Sequence, residues 1–133
     1  MISRWVLALL GLFHLVNGFS MLLAPDAWYA AVPGVAQTGP INHHFIADIA
    51  LAFLASGGGM LFALRAGRAA ASFALAGSVW PALHALFHIW GWIADHAPRT
   101  PQMWLSEALG VVFVGLLGVT LAAMRFRQGD TRC

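Results

Sequence analysis

The sequence predicts an all-α integral membrane protein, a four-helix bundle with N and C termini in the cytoplasm, and three observations carry that prediction. Hydrophobic residues make up 60% of the 133-residue chain and charged residues only 9%, against about 25% charged in an ordinary soluble domain. Four apolar stretches each come close to the ~20 residues that an α-helix needs to cross a bilayer. The chain has no lysine, and its arginines (Arg4, Arg65, Arg68, Arg99, Arg125, Arg127 and Arg132) all lie between or beyond those stretches. Its positive charge therefore marks membrane flanks rather than a basic groove, which argues against nucleic acid as a partner. The length suits one transmembrane domain over residues 1–133. Cys133 is the only cysteine, so an intrachain disulfide, a CxxC redox motif and a thiolate metal site are excluded.

The spans follow from where the apolar runs stop. The first covers about 5–23 and breaks at Ala24, Pro25 and Asp26. His14 and Asn17 fit poorly in the apolar core of a secretory signal, so this stretch is expected to be a retained helix. The second covers about 43–64 and ends before Arg65 and Arg68. The third covers about 69–93 and ends at Asp95, His96 and Pro98, and the fourth covers about 103–124 and ends at Arg125 and Arg127. With four spans, every arginine except Arg99 falls on one side of the membrane. The positive-inside rule assigns that side to the cytoplasm. The predicted location is a bacterial inner membrane, with the lipid bilayer as the first partner.

Two aspects of composition bear on packing. Trp28, Tyr29, Trp90, Trp92 and Trp104 fall near the outer boundary and Trp5 near the inner one, as aromatic belts do. Helix contacts in lipid rely on small residues. Ala55 with Gly59, then Ala70, Ala74 and Ser78, and finally Gly110, Gly115 and Gly118 supply such faces, with a homo-oligomer as a further option. The run Gly57, Gly58 and Gly59 either kinks the second helix or lets a neighbour approach closely.

The informative residues are polar ones inside the spans. An ionisable group at membrane depth costs roughly 2.5–3.5 kcal/mol on insertion scales, so it is expected to face the bundle interior and find a partner. Each span has at least one polar candidate: His14 and Asn17 on the first, His44 and Asp48 on the second, His84 and His88 on the third, Glu107 on the fourth. Residues i and i+4 share a helix face. His44 with Asp48 can thus serve one site, and His84 with His88 have the spacing by which a helix aims two imidazoles at one ion. Pro81 removes a backbone hydrogen bond on the same stripe and is expected to kink the helix beside His84. Counting ~1.5 Å per residue from the outer boundary puts Asp48, His88, Glu107 and Asn17 in one layer and His14 with His84 in a deeper one. His43 and His96, at the outer edge, are expected to be solvated.

These residues lead to a metal-binding membrane protein, with the option of a metalloenzyme acting on a lipid-soluble substrate. His44, Asp48, His84 and His88 are the candidate metal ligands. Glu107 is the candidate catalytic base, or a further ligand, and His14 and Asn17 support the cofactor from behind. Imidazole with carboxylate suits Zn, Fe, Mn or Cu. Two alternatives stay open. One is a b-type haem or quinone-linked electron-transfer subunit, with axial histidines on facing helices. The other is a structural accessory subunit whose polar groups only lock the helices together.

Two stretches also carry a resemblance. Asn42 to Phe53, which contains His44, Phe45 and Asp48, and Leu83 to Trp90, which contains His84 and His88, resemble the HFxxDI and LHAxxHxW helices of a group of small, uncharacterised bacterial four-span membrane proteins. The end of the first helix, with Asn17, Gly18 and then Leu23, Ala24 and Pro25, is similar too. At the level of size and topology the chain distantly resembles DoxX-like proteins, whose namesake is associated with a quinol oxidase. The resemblance implies the four-span topology and supplies no established activity.

Overall fold

The computed structural model describes residues 2–129, with side chains described from Ser3 to Gln128. Among the described residues the chain is helical, with no strand. The helices are α1 (Ile2–Leu23), α2 (Pro25–Ala31), α3 (His43–Leu61), α4 (Arg68–Ile93), α5 (Pro101–Glu107) and α6 (Val114–Gly129). A 3-10 turn at Val35–Thr38 follows α2, and another at Phe62–Leu64 extends α3. A π-helical segment, Ala108–Phe113, joins α5 to α6 into one rod.

Four helical rods are long and apolar enough to cross a membrane: Ser3–Leu23, His43–Leu64, Arg68–Ile93 and Pro101–Gln128. They match the expected spans to within two residues everywhere except the end of the fourth, which continues past Met124. Their length and hydropathy are those of the spans of a multi-pass membrane protein. The outward faces are correspondingly apolar, with Leu9, Phe13, Leu23, Phe45, Leu83 and Phe87 among the exposed side chains. In lipid such a surface carries no penalty, because tails are as apolar as leucine.

Local chemistry sets the helix ends. Pro25 opens α2 and Pro101 opens α5, each at a first-turn position where no backbone N–H is needed. The Asn42 side chain accepts from the Phe45 backbone N–H at 3.0 Å and so caps α3. Thr100 does the same for α5 through Met103 N–H at 3.3 Å. α4 ends with Asp95 in the left-handed region (φ 65) and a bond from His96 N–H back to Gly91 O, a Schellman-type close. α4 runs through Pro81 as one helix from Arg68 to Ile93.

The rods meet where side chains are smallest. A Cβ added at Gly57 of α3 would lie 2.6 Å from Gly11 O of α1, so these backbones touch. A Cβ at Gly59 would lie 2.8 Å from Gly77 Cα, which fixes the α3–α4 crossing. Gly115 of α6 lies against the Pro81 carbonyl of α4. The glycine run in α3 therefore serves close approach, and the helix continues unbroken through it. Toward the termini, Leu7, Ala63, Ala74 and Ala122 form one buried cluster drawn from all four rods. Toward the other end, Met21, Ile46 and Ala50 form a second, roofed by Trp28 and Tyr29 of α2.

These contacts fix the rotation of each helix, and rotation decides which polar groups face inward. α3 buries Ile46, Ala50, Ser56, Gly57 and Met60. At about 100° per residue, Asp48 and His44 lie roughly opposite that face. α4 buries Ala74, Ser78, Pro81, Ala82 and Ala85, which leaves His84 and His88 on the flank of the buried face beside α5 and the π segment.

Candidate functional site

A carboxylate, an imidazole and an indole meet at the end of the bundle that carries α2. Glu107, the last residue of α5, sits beside α4, and its Oε2 lies 3.0 Å from His88 Nδ1. Trp92 Nε1 donates to the same oxygen at 2.8 Å. An indole N–H can only donate, so Oε2 is an acceptor here. The hydrogen-bond assignment that satisfies all three groups puts a proton on His88 Nδ1 and leaves Nε2 as the nitrogen with a lone pair. His88 and Glu107 keep 23% and 18% of their side-chain surface, so the pair is sheltered but reachable.

His84 lies one turn deeper on α4. Its ring stacks on Trp80, with centroids 5.1 Å apart and planes 8° apart, and meets the His88 ring edge-on at 4.8 Å. Phe53 and Phe87 complete the surround at 6.5 Å each. Among the described residues the imidazole has ring contacts and no hydrogen bond, which leaves both nitrogens to engage something else. Beside it is a cavity of about 10 Å³ lined by His14, Phe53, Trp80, Pro81, His84 and the π segment. That is room for roughly one water molecule. His14 is buried, 2% exposed, and its Nδ1 lies 2.6 Å from Leu10 O. With that carbonyl accepting, its Nε2 is left with the lone pair.

Trp92, expected near the outer boundary, lies one turn beyond His88 on the same face, the i+4 spacing that brings it to Glu107. The π segment widens the helix where Gly110 and Val111 border the cavity, and π insertions recur at functional sites. Between α3 and α4 a second, open groove of about 360 Å³ runs from Phe73 to Trp80, lined mainly by small residues. Trp80 is the wall it shares with the His84 cavity.

The expected ligand set does not come together. His44 and Asp48 are 90% and 56% exposed and pair with each other at 3.4 Å, away from His84 and His88. The reason is the rotation of α3, which turns Ala50 and Gly57 toward α1 and these two residues outward. Among the described residues, no three His, Cys, Asp or Glu side chains are grouped so as to hold a metal ion. Asn17 is also elsewhere: it accepts from Trp28 Nε1 at 2.9 Å and so ties α2 to α1. His43 pairs with Asp26 at 3.2 Å on the exposed end. The two expected layers do survive in part, since His14 and His84 share one cavity and His88 and Glu107 share one hydrogen bond.

Comparison with protein-family models, with curated proteins and with solved structures found no match to this chain.

Proposed function

We propose that this chain is a multi-pass protein of a bacterial inner membrane, both termini cytoplasmic, that binds a small lipid-soluble molecule with hydrogen-bonding oxygens, of quinone type, at His84, His88 and Glu107. The observation that carries this reading is the Glu107 carboxylate accepting from both His88 Nδ1 and Trp92 Nε1. A carboxylate held this way fixes the imidazole's tautomer and orientation. His88 Nε2 can then accept a proton from a bound hydroxyl, or return one to a carbonyl, at a sheltered position. His84, stacked on Trp80, offers a second hydrogen-bonding group and a flat aromatic wall for a planar ring. The groove that ends at Trp80 gives an apolar tail a place beside that ring. The arginines at the termini end support the orientation.

The test uses the indoles already present, since quinones quench tryptophan fluorescence on contact. Titration of the purified protein with decyl-ubiquinone should quench saturably. His88→Ala should weaken binding about tenfold or more, as expected when a buried partner loses its hydrogen bond. Unsaturable quenching, identical in His88→Ala, would exclude the reading.

One observation favours a second reading, a metal at the same place. His14 and His88 each have Nδ1 tied to an oxygen acceptor, the arrangement by which metal-bound imidazoles are usually oriented. In that reading Glu107 orients a ligand rather than binding the metal. Elemental analysis for Zn, Fe and Cu, with an absorption spectrum to detect haem b, separates the readings. A stoichiometric metal lost in His88→Ala supports the second.

A further inference from the structure

Among the described residues, the termini end of the bundle gathers Arg4, Arg65, Arg68 and Arg125. Arg4 lies one turn beyond Leu7, Arg125 one turn beyond Ala122 and Arg65 just after Ala63, and these three apolar residues belong to one buried cluster. Their guanidinium groups are thus brought to the same end of the bundle from α1, α6 and the link after α3. Arg125 reaches across to donate from Nη2 to the Arg65 carbonyl. Arg4 lies over the Trp5 ring at 5.4 Å, Arg65 over Phe62 at 5.7 Å and Arg68 over Phe126 at 5.2 Å. The acidic residues among the described ones (Asp26, Asp48, Asp95 and Glu107) all lie toward the opposite end.

A second observation is independent of charge. Among the described residues, the Nε atoms of Arg4 and Arg125 are buried and have no hydrogen-bond acceptor. Buried polar groups in native proteins are nearly always paired, so two orphaned guanidinium N–H groups at one end of a bundle call for an outside acceptor. The acceptor must be anionic, must present several oxygens and must lie where the helices leave the apolar layer. A phosphate group fits all three requirements, and guanidinium binds it through paired N–H···O bonds.

We propose that Arg4 and Arg125 form a phosphate-group site that takes the headgroup of an anionic phospholipid from the leaflet at the termini end. The two side chains turn outward so that their Nε–H groups, closed off from solvent in the structure, donate to the phosphate oxygens; the acyl chains lie along the exposed apolar faces of α1 and α6, and Arg65 adds charge at the rim. The site is remote from His84, His88 and Glu107 and does not depend on what binds there.

Native mass spectrometry of the full chain tests this, with phosphatidylglycerol, phosphatidylcholine and inorganic phosphate offered separately at equal concentration. Two arginines at the surface predict roughly a 30-fold preference for phosphatidylglycerol over phosphatidylcholine. Arg4→Gln with Arg125→Gln should reduce it to near unity, and Arg99→Gln, at the other end, should leave it intact. If the double variant does not fold, Arg4→Gln alone should still lower the preference several-fold. The proposal falls if the two lipids bind equally or if the arginine variants keep the preference. Binding of inorganic phosphate as tight as that of phosphatidylglycerol would overturn the lipid assignment in favour of a soluble anion.

Discussion

Two helices of this bundle carry the same kind of pair at the same spacing, and the structure treats them oppositely. His44 and Asp48 on α3 stand 90% and 56% exposed and pair with each other. His84 and His88 on α4 are half-buried, one stacked on Trp80 and the other bonded to Glu107. Spacing places two residues on one face of their own helix. It does not say where that face looks. The direction is set by backbone contacts between distant parts of the chain, Gly57 against Gly11 for α3 and Gly115 against Pro81 for α4.

The sharpest way to break this contrast is to disturb the contact that rotates α3. In Gly57→Leu the new side chain meets Gly11 O and Leu15 at once. We expect a loss of more than about 4 kcal/mol in unfolding stability, or no folded protein, in line with severe overpacking. A denaturant titration in mild detergent measures it.

Next comes the carboxylate. Glu107→Ala leaves His88 Nδ1 and Trp92 Nε1 without their acceptor. The cost should be about 2–4 kcal/mol, and Glu107→Gln, which keeps one carbonyl oxygen, should recover part of it. The same titration reads both, and Trp92 emission should shift as its indole loses its partner. A smaller effect, near 1 kcal/mol, is expected for Asn17→Ala, which removes the neutral hydrogen bond from Trp28 and a weak one to Met21 Sδ. Protease accessibility of the α2 segment should rise with it. His44→Ala and Asp48→Ala come last. An exposed His–carboxylate pair contributes at most about 0–1 kcal/mol, so each should change stability by less than about 1 kcal/mol.

How much could be read in advance follows the same line. The spans were legible because length and apolarity are properties of each segment by itself, and Pro25, Pro101 and Arg65 punctuate them. That His88 and Glu107 find partners was legible because ionisable groups inside a span demand them. The helix rotation that separates Asp48 from His88 was not, since it depends on which glycines of different helices meet. Nor was the π segment at Ala108–Phe113, whose extra residue per turn leaves no mark in the apolar pattern. Trp92 could have been found by extending the i+4 series from His84 and His88 by one step.

The most direct measurement is nitrogen NMR of the histidines, with and without decyl-ubiquinone. The account predicts that His88 is held with its proton on Nδ1, that His84 and His88 respond to the ligand, and that His44 does not. A His44 response, with His84 and His88 unmoved, would contradict the account and return the site to the exposed face of α3.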